Sequence, residues 1–215
     1  MTLVAISAAY GAGGSRIAPA LADRLGVPFV DRAIPMRVAQ ELDIPYDDAA
    51  HLDRGLGRGW LERVLSGFLG SDTGAPTSVP AGTLSSADFK RATEAVLLEH
   101  AAIGRGVILG RAAVIVLRDD PRALRVRLDG PSERRLRQAM ALGGLERAAA
   151  ERAMRRVDRI HVDYARHFYG VELRDLSLYH VTLDSTAFSV EQCVEILAHA
   201  AGLPMSPARA GSVER

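Results

Sequence analysis

The sequence predicts a three-layer α/β sandwich, a five-stranded parallel sheet with helices on both faces. Three observations predict it. Short apolar runs such as Leu3–Ser7 and Val107–Leu109 lack in–out alternation, as expected of strands covered on both sides. Helical stretches separate these runs, the rhythm of parallel strands joined by crossovers. Glycine and charged residues gather just after the runs, at Gly11–Ser15, Asp31–Arg32 and Gly110–Arg111. Open parallel sheets bind ligands there, outside the carboxyl ends of the strands.

The elements follow in order. Leu3–Ser7 is the first strand. The first helix runs from about Ser15 to Leu25, with Ile17, Leu21 and Leu25 as its apolar stripe and Gly26 as its stop. Val27–Asp31 reads as a short second strand. Residues 32–65 read as helix broken by Pro35 and Pro45, and the Gly-, Ser-, Thr- and Pro-rich stretch 66–86 as a mobile loop. A helix from about Ala87 to Ile103 starts at Ser85 or Ser86 and carries Phe89, Ala92, Val96, Leu97, His100 and Ile103 at helical spacing. Val107–Leu109 and the arginine-bearing Ala123–Leu128 are strands. A helix opens at Pro131–Glu133 and ends at Gly143–Gly144; residues 145–169 form a strongly charged helix. Tyr179–Leu183 is the last strand and Val190–Ala201 the last helix, capped by Ser189. Residues 1–203 make one domain, and 204–215 a disordered tail.

Composition narrows the functional class. A net charge of +1 gives no bulk attraction to nucleic acid or membrane. The single cysteine, Cys193, excludes an intrachain disulfide framework and fits a cytoplasmic protein. No apolar run reaches the ~20 residues of a membrane helix, and residues 1–9 lack the basic start of a signal peptide.

The most telling stretch is LVAISAAYGAGGSR, residues 3–16. A strand enters a glycine-rich turn and a helix opens at once, the layout of a phosphate-binding P-loop. Against the G-x-x-x-x-G-K-[ST] pattern, Ala8 stands at the first glycine, Gly13 at the second, Gly14 at the lysine and Ser15 at the hydroxyl residue. Of the 27 basic residues only Lys90 is lysine, and it falls in a later helix. The nearest cation to the loop is Arg16. It either forks onto phosphate oxygens or is a solvated first-turn residue.

Four stretches together resemble the cytidylate kinase-like family of nucleoside monophosphate kinases. AISAAYGAGGSRIAPALADRLGVPFVDR (5–32) is similar to its glycine-rich loop, first helix and Asp-Arg pair. VILGRAAVIVLRDDPRALRVRLDGPSERRLRQ (107–138) is similar to its Gly-Arg strand end and the unit that follows. RRVDRIHVDYARHFYG (155–170) resembles an arginine-rich lid, and LDSTAFSVEQCVEIL (183–197) the closing strand and helix. The resemblance implies a P-loop kinase-type sandwich, a helical acceptor-site insert at about 32–103, a lid at about 145–170, and transfer of phosphate from ATP with Mg²⁺, CMP or dCMP being the first-choice acceptor. It places Gly11, Ala12, Gly13, Gly14, Ser15, Arg16, Arg155 and Arg156 at the donor phosphates, with Ser15 reaching Mg²⁺. Asp31, Arg32, Arg37 and Arg111 would line the acceptor site. Arg16, Arg111, Arg159 and Arg166 would carry catalysis, since phosphoryl transfer rests on alignment and charge neutralisation.

The departures are specific. Cytidylate kinase has the loop lysine, and lysine-less relatives carry an arginine early in the loop; here Gly14 and Ala8 stand at those places. Ala112 stands where cytidylate kinase has an acceptor-site aspartate. These changes leave open a nucleotide-binding protein without catalysis, or a kinase for another small acceptor. Arg111 either binds the acceptor phosphate or makes a structural ion pair. The nine arginines from 134 to 166 line a lid or a solvated face with neighbouring acids. His161 and His167 form no metal pattern, Cys193 reads as core, and no Gly-x-Ser-x-Gly elbow or dinucleotide fingerprint is present. The segment Leu52–Leu69 packs either on the core or on a second subunit, so a homodimer stays open.

Overall fold

The computed structural model describes residues 2–30, 86–110 and 112–203. Its elements are β1 (Leu3–Ala8), α1 (Gly14–Leu25), α2 (Ser86–Ala102), β2 (Gly106–Leu109), α3 (Ala113–Val116), β3 (Ala123–Asp129), α4 (Ser132–Gly143), α5 (Arg147–Tyr169), a 3₁₀ turn at Leu176–Leu178, β4 (Val181–Asp184) and α6 (Val190–Gly202). The broken helix 32–65, the expected loop 66–86 except for Ser86, which opens α2, and the tail 204–215 lie outside the described residues, as does Leu52–Leu69.

The four strands are all parallel, in the order β2-β1-β3-β4. The expected fifth strand, Val27–Asp31, is a correction: among the described residues it is a single bridge, Phe29 to Val107. Val30 N–H donates to Val107 O at 2.9 Å, and Val107 N–H donates to Pro28 O at 2.9 Å. Gly26 is left-handed at the end of α1, and Pro28 brings no N–H to a ladder. The chain has little room to build more than this one rung.

Alternation along the strands separates two cores. Leu3, Ala5, Ile108 and Ala123 face α2, α3 and the later part of α5. Val4, Ile6, Val107, Leu124, Val126 and Leu128 face α1 and α6. Both faces of β1 are therefore buried, which explains its unbroken apolar run. Burying such side chains contributes about 1.5–3 kcal/mol each.

Local signals set the boundaries. Ser189 caps α6 in a capping box with Gln192, whose amide oxygen accepts the Ser189 N–H at 2.9 Å. Gly170 closes α5 in the left-handed region. The last strand starts later than Tyr179, because the Tyr179 hydroxyl donates to Leu173 O at 2.8 Å and ends the 3₁₀ turn instead. Helix α3 is one buried apolar turn entered through Ala112 at φ 56, the described non-glycine residue with positive φ.

Candidate phosphate-binding site

The loop after β1 is held on three sides. Ala9 N–H donates to Leu128 O at 3.0 Å, fixing the end of β1 to β3. Ala12 N–H turns back to Ala9 O at 3.0 Å. The buried Ser185 hydroxyl, just past β4, donates to Ala12 O at 2.7 Å. Gly11 (φ 77) and Gly13 (φ 75) carry the two left-handed corners, and a Cβ on Gly11 would run into the backbone carbonyl of Arg135. Gly13 is the N-cap of α1, and no side chain caps it. Arg16 and Ile17 both donate backbone N–H to Gly13 O, at 3.0 and 2.9 Å. The loop therefore delivers the positive end of α1 to one spot, the arrangement that receives an anion.

Gly14 explains the missing lysine sterically. A Cβ there would lie 2.6 Å from the Ala8 Cβ and 3.3 Å from Leu109 Cδ1. The Ala8 methyl takes up the room a lysine stem would need. The two departures from the loop pattern are thus one packing change.

Sequence reasoning missed a second layer of charged groups. Asp158 of α5 accepts the Tyr10 N–H at 2.9 Å with one oxygen and Arg135 Nη1 at 2.8 Å with the other. Arg135 Nη1 also donates to Tyr10 O at 2.8 Å and its Nε to Gly130 O at 3.1 Å, and it lies 3.4 Å from Asp129. Arg127 on β3 donates to Ser7 Oγ at 2.9 Å and grips Asp129 Oδ2 from Nε and Nη2 at 3.1 and 2.9 Å. The side chains of Arg127 and Arg135 are only 13% and 11% exposed. Arg127 had a visible signal: it alternates with apolar residues in a strand whose neighbours are buried.

Beside the loop lies an open cleft of about 720 Å³ lined by Arg134, Arg137, Gln138, Thr186 and Ala187. The Gln138 amide is so near Gly13 that a Cβ there would lie 2.7 Å from its Nε2. Thr186 is oriented by Asp184, which accepts its hydroxyl at 2.6 Å, and Arg134 reaches the same carboxylate at 3.2 Å.

Gly11, Ala12 and Gly13 lie in this loop and Gly14, Ser15 and Arg16 in the first turn of α1, with Ser15 and Arg16 exposed. Arg16 lies close enough to Glu191 to favour its ionised form; the Glu191 carboxyl is held below the usual range mainly by its own backbone N–H and by Ser189. The stretch expected as a lid contains one 23-residue helix, α5. On it Arg166 is engaged by Glu172 at 2.6 Å and Arg155 faces Glu151 at 3.8 Å; Arg159 is exposed and Arg156 half-buried. Asp31, Arg32, Arg37 and Arg111 lie outside the described residues. Burial pushes the Cys193 thiol up, in keeping with a core position. Among the described residues no group of three or more His, Cys, Asp or Glu residues is placed to hold a metal ion, and no helix is long and apolar enough to cross a membrane.

Fold and loop together define an α/β protein of the kinase fold. The cytidylate kinase-like family profile matches residues 3–187, and the chain belongs to that family. Among solved structures it is similar to an uncharacterised protein from Eubacterium ventriosum, with TM-score 0.66 and 15% identity, covering 94% of this chain and 98% of that one. It is similar to shikimate kinase from Bacteroides thetaiotaomicron, with TM-score 0.51 and 15% identity, covering 94% and 99%. TT1252 from Thermus thermophilus matches with TM-score 0.50 and 19% identity, covering 93% and 95%. No curated protein matches.

Proposed function

We propose that this protein is an ATP-dependent phosphotransferase acting on a nucleoside monophosphate, with CMP or dCMP as the acceptor. The observation that carries the reading is the uncapped start of α1, ringed by Gly11 and Gly13, opening beside a cleft lined by Arg134 and Arg137. A nucleoside triphosphate suits that pair: phosphates on the loop amides, the remainder of the donor in the cleft. Backbone N–H groups and arginines supply what in-line phosphoryl transfer needs, fixed geometry and charge neutralisation.

Mg²⁺ fits as a nucleotide-borne ion. It commonly takes one or two protein oxygens and otherwise phosphates and water. The exposed Ser15 hydroxyl at the start of α1 offers one oxygen, and the ion when bound would neutralise charge on the phosphates. The acceptor would be held by Asp31, Arg32, Arg37 and Arg111, in a pocket formed by the insert at about 32–103. Arg16, Arg155, Arg156, Arg159 and Arg166 would close on the transferring group from the loop and the lid at about 145–170. Arg166 would have to leave Glu172 to do so. That pair is exposed and costs little to break.

The test is ADP and CDP formation from CMP and ATP-Mg²⁺, with Arg111→Ala as control. CDP that disappears in the control supports the reading. A second reading, a nucleotide-binding protein without catalysis, is favoured by the Ala8 methyl that closes the lysine position. It predicts that ATP raises the melting temperature with no product from any monophosphate. Product from a different small acceptor, and none from CMP, would keep the kinase and replace its substrate.

A further inference from the structure

We propose that the Asp158 carboxylate is an internal stand-in for a phosphoryl oxyanion, occupying a subsite beside the loop that the terminal phosphate of a donor takes by displacing it. The inference rests on the donor-site reading above and adds how that site is held before a ligand arrives.

The two partners of Asp158 are those a phosphate would use. One oxygen accepts a backbone N–H of the phosphate loop, from Tyr10 at 2.9 Å; the other accepts a guanidinium N–H, from Arg135 at 2.8 Å. The donors belong to different elements, the loop and α4, and the carboxylate is brought in by a third, α5. Arg135 is held in place independently, through Tyr10 O, Gly130 O and Asp129. The donors would therefore stay in position if Asp158 left.

Local charge supports an exchange. Arg127 and Arg135 face Asp129 and Asp158, so the cluster is balanced as it stands. Within this cluster an arriving phosphate finds no uncompensated charge until one carboxylate withdraws, so its initial attraction comes from the start of α1 and the neighbouring Arg134 and Arg137. Asp129 is tied to Arg127 and to the Gly130 N–H on its own strand end, so Asp158 is the mobile member. Its side chain is 31% exposed and sits on a helix whose other ion pairs, Arg147 with Glu133 and Arg166 with Glu172, lie at the surface. Exposed pairs of that kind contribute little; the later part of α5 is anchored in the core by Ala165 and Tyr169, so the withdrawal proposed is a local one, of the Asp158 side chain and its turn. When Asp158 withdraws, the subsite gains one uncompensated positive charge. Binding at the loop and movement of that turn of the lid helix become one equilibrium.

The probes are inorganic pyrophosphate and ATP, titrated calorimetrically into the wild-type protein and Asp158→Asn. The expected result is pyrophosphate binding about tenfold tighter in Asp158→Asn, the scale of one charge-assisted hydrogen bond no longer competed for. Equal or weaker binding, or no binding to either protein, overturns the proposal. In the wild-type protein, saturating pyrophosphate should also accelerate amide hydrogen exchange across residues 155–163; unchanged exchange overturns the proposal whether or not the variant folds. If pyrophosphate behaves as expected but ATP binds no more tightly than pyrophosphate, the displaced carboxylate stands and the donor-nucleotide reading fails.

Discussion

Arg125 and Arg127 sit two residues apart on the same strand and the same face of the sheet, yet they are used in opposite ways. Arg125, toward the amino end of β3, donates to two backbone carbonyls, Leu178 O at 2.8 Å and Arg118 O at 2.7 Å. It lines a groove of about 510 Å³ in which Asp119, Glu172 and Asp175 are also present. Burial pulls its pKa down. Arg127, at the carboxyl end, donates to a hydroxyl and a carboxylate and stands one step from the glycine-rich loop. Backbone carbonyls cannot leave, so Arg125 is a fixed tie between β3 and the 3₁₀ turn. Side-chain acceptors can be exchanged for a ligand's oxygens. The chemistry of the partner separates an arginine locked into the fold from one whose contacts a ligand's oxygens could replace.

The largest expected effect is at the loop itself. Gly11→Ala forces a left-handed alanine against the Arg135 carbonyl. It should cost roughly 3 kcal/mol in urea unfolding and abolish pyrophosphate binding. Next comes the arginine pair. Arg125→Met should cost about 2 kcal/mol by orphaning two carbonyls and leave ATP affinity unchanged. Arg127→Met should cost less stability and weaken ATP binding about tenfold. Equal effects of the two variants on ATP binding would erase the contrast between the ends of β3.

A double-mutant cycle sharpens the account of the missing lysine. Gly14→Lys alone should destabilise by about 2 kcal/mol through overpacking against Ala8. Ala8→Gly in the same chain should recover most of that loss, a coupling expected for residues in contact. Additive losses would mean that Ala8 does not close the position. The smallest effect is pH-dependent. Burial first, and the Arg125 charge second, lower the pKa of His180 below its usual 6.5. The unfolded chain then binds a proton that the folded chain refuses, so stability is full above that value and falls as pH drops below it. In His180→Gln, the part of the acid slope near pH 6.5 should flatten.

Much of this was legible in the sequence because its causes are local. Gly11 and Gly13 mark left-handed corners, Gly26 and Gly170 end helices, and Ser189 with Gln192 spells a cap within four residues. Failures occurred where the cause was remote. Val27–Asp31 looks like a strand, but pairing depends on what β2 offers, and one rung is what forms among the described residues. Tyr10 and Asp158 meet across 148 residues, and Ser185 and Ala12 across 173. No spacing rule reaches that far. Among the acids neighbouring the arginines from 134 to 166, Asp158 does pair with one of them, Arg135, but nothing in the sequence signals its bond to the Tyr10 N–H of the loop. Ala8 and Gly14 each read as a loss, and only their contact shows them to be one change.

We propose that the loop, without a lysine, still gathers phosphate at the start of α1. The most direct test follows the backbone amide resonances of the wild-type protein during titration with ATP-Mg²⁺. Shifts concentrated in Gly11–Ser15 and in the residues lining the adjoining cleft, Arg134, Arg137 and Gln138, are the predicted result. Saturable binding that leaves Gly11–Ser15 unshifted, or no binding at all, would contradict it.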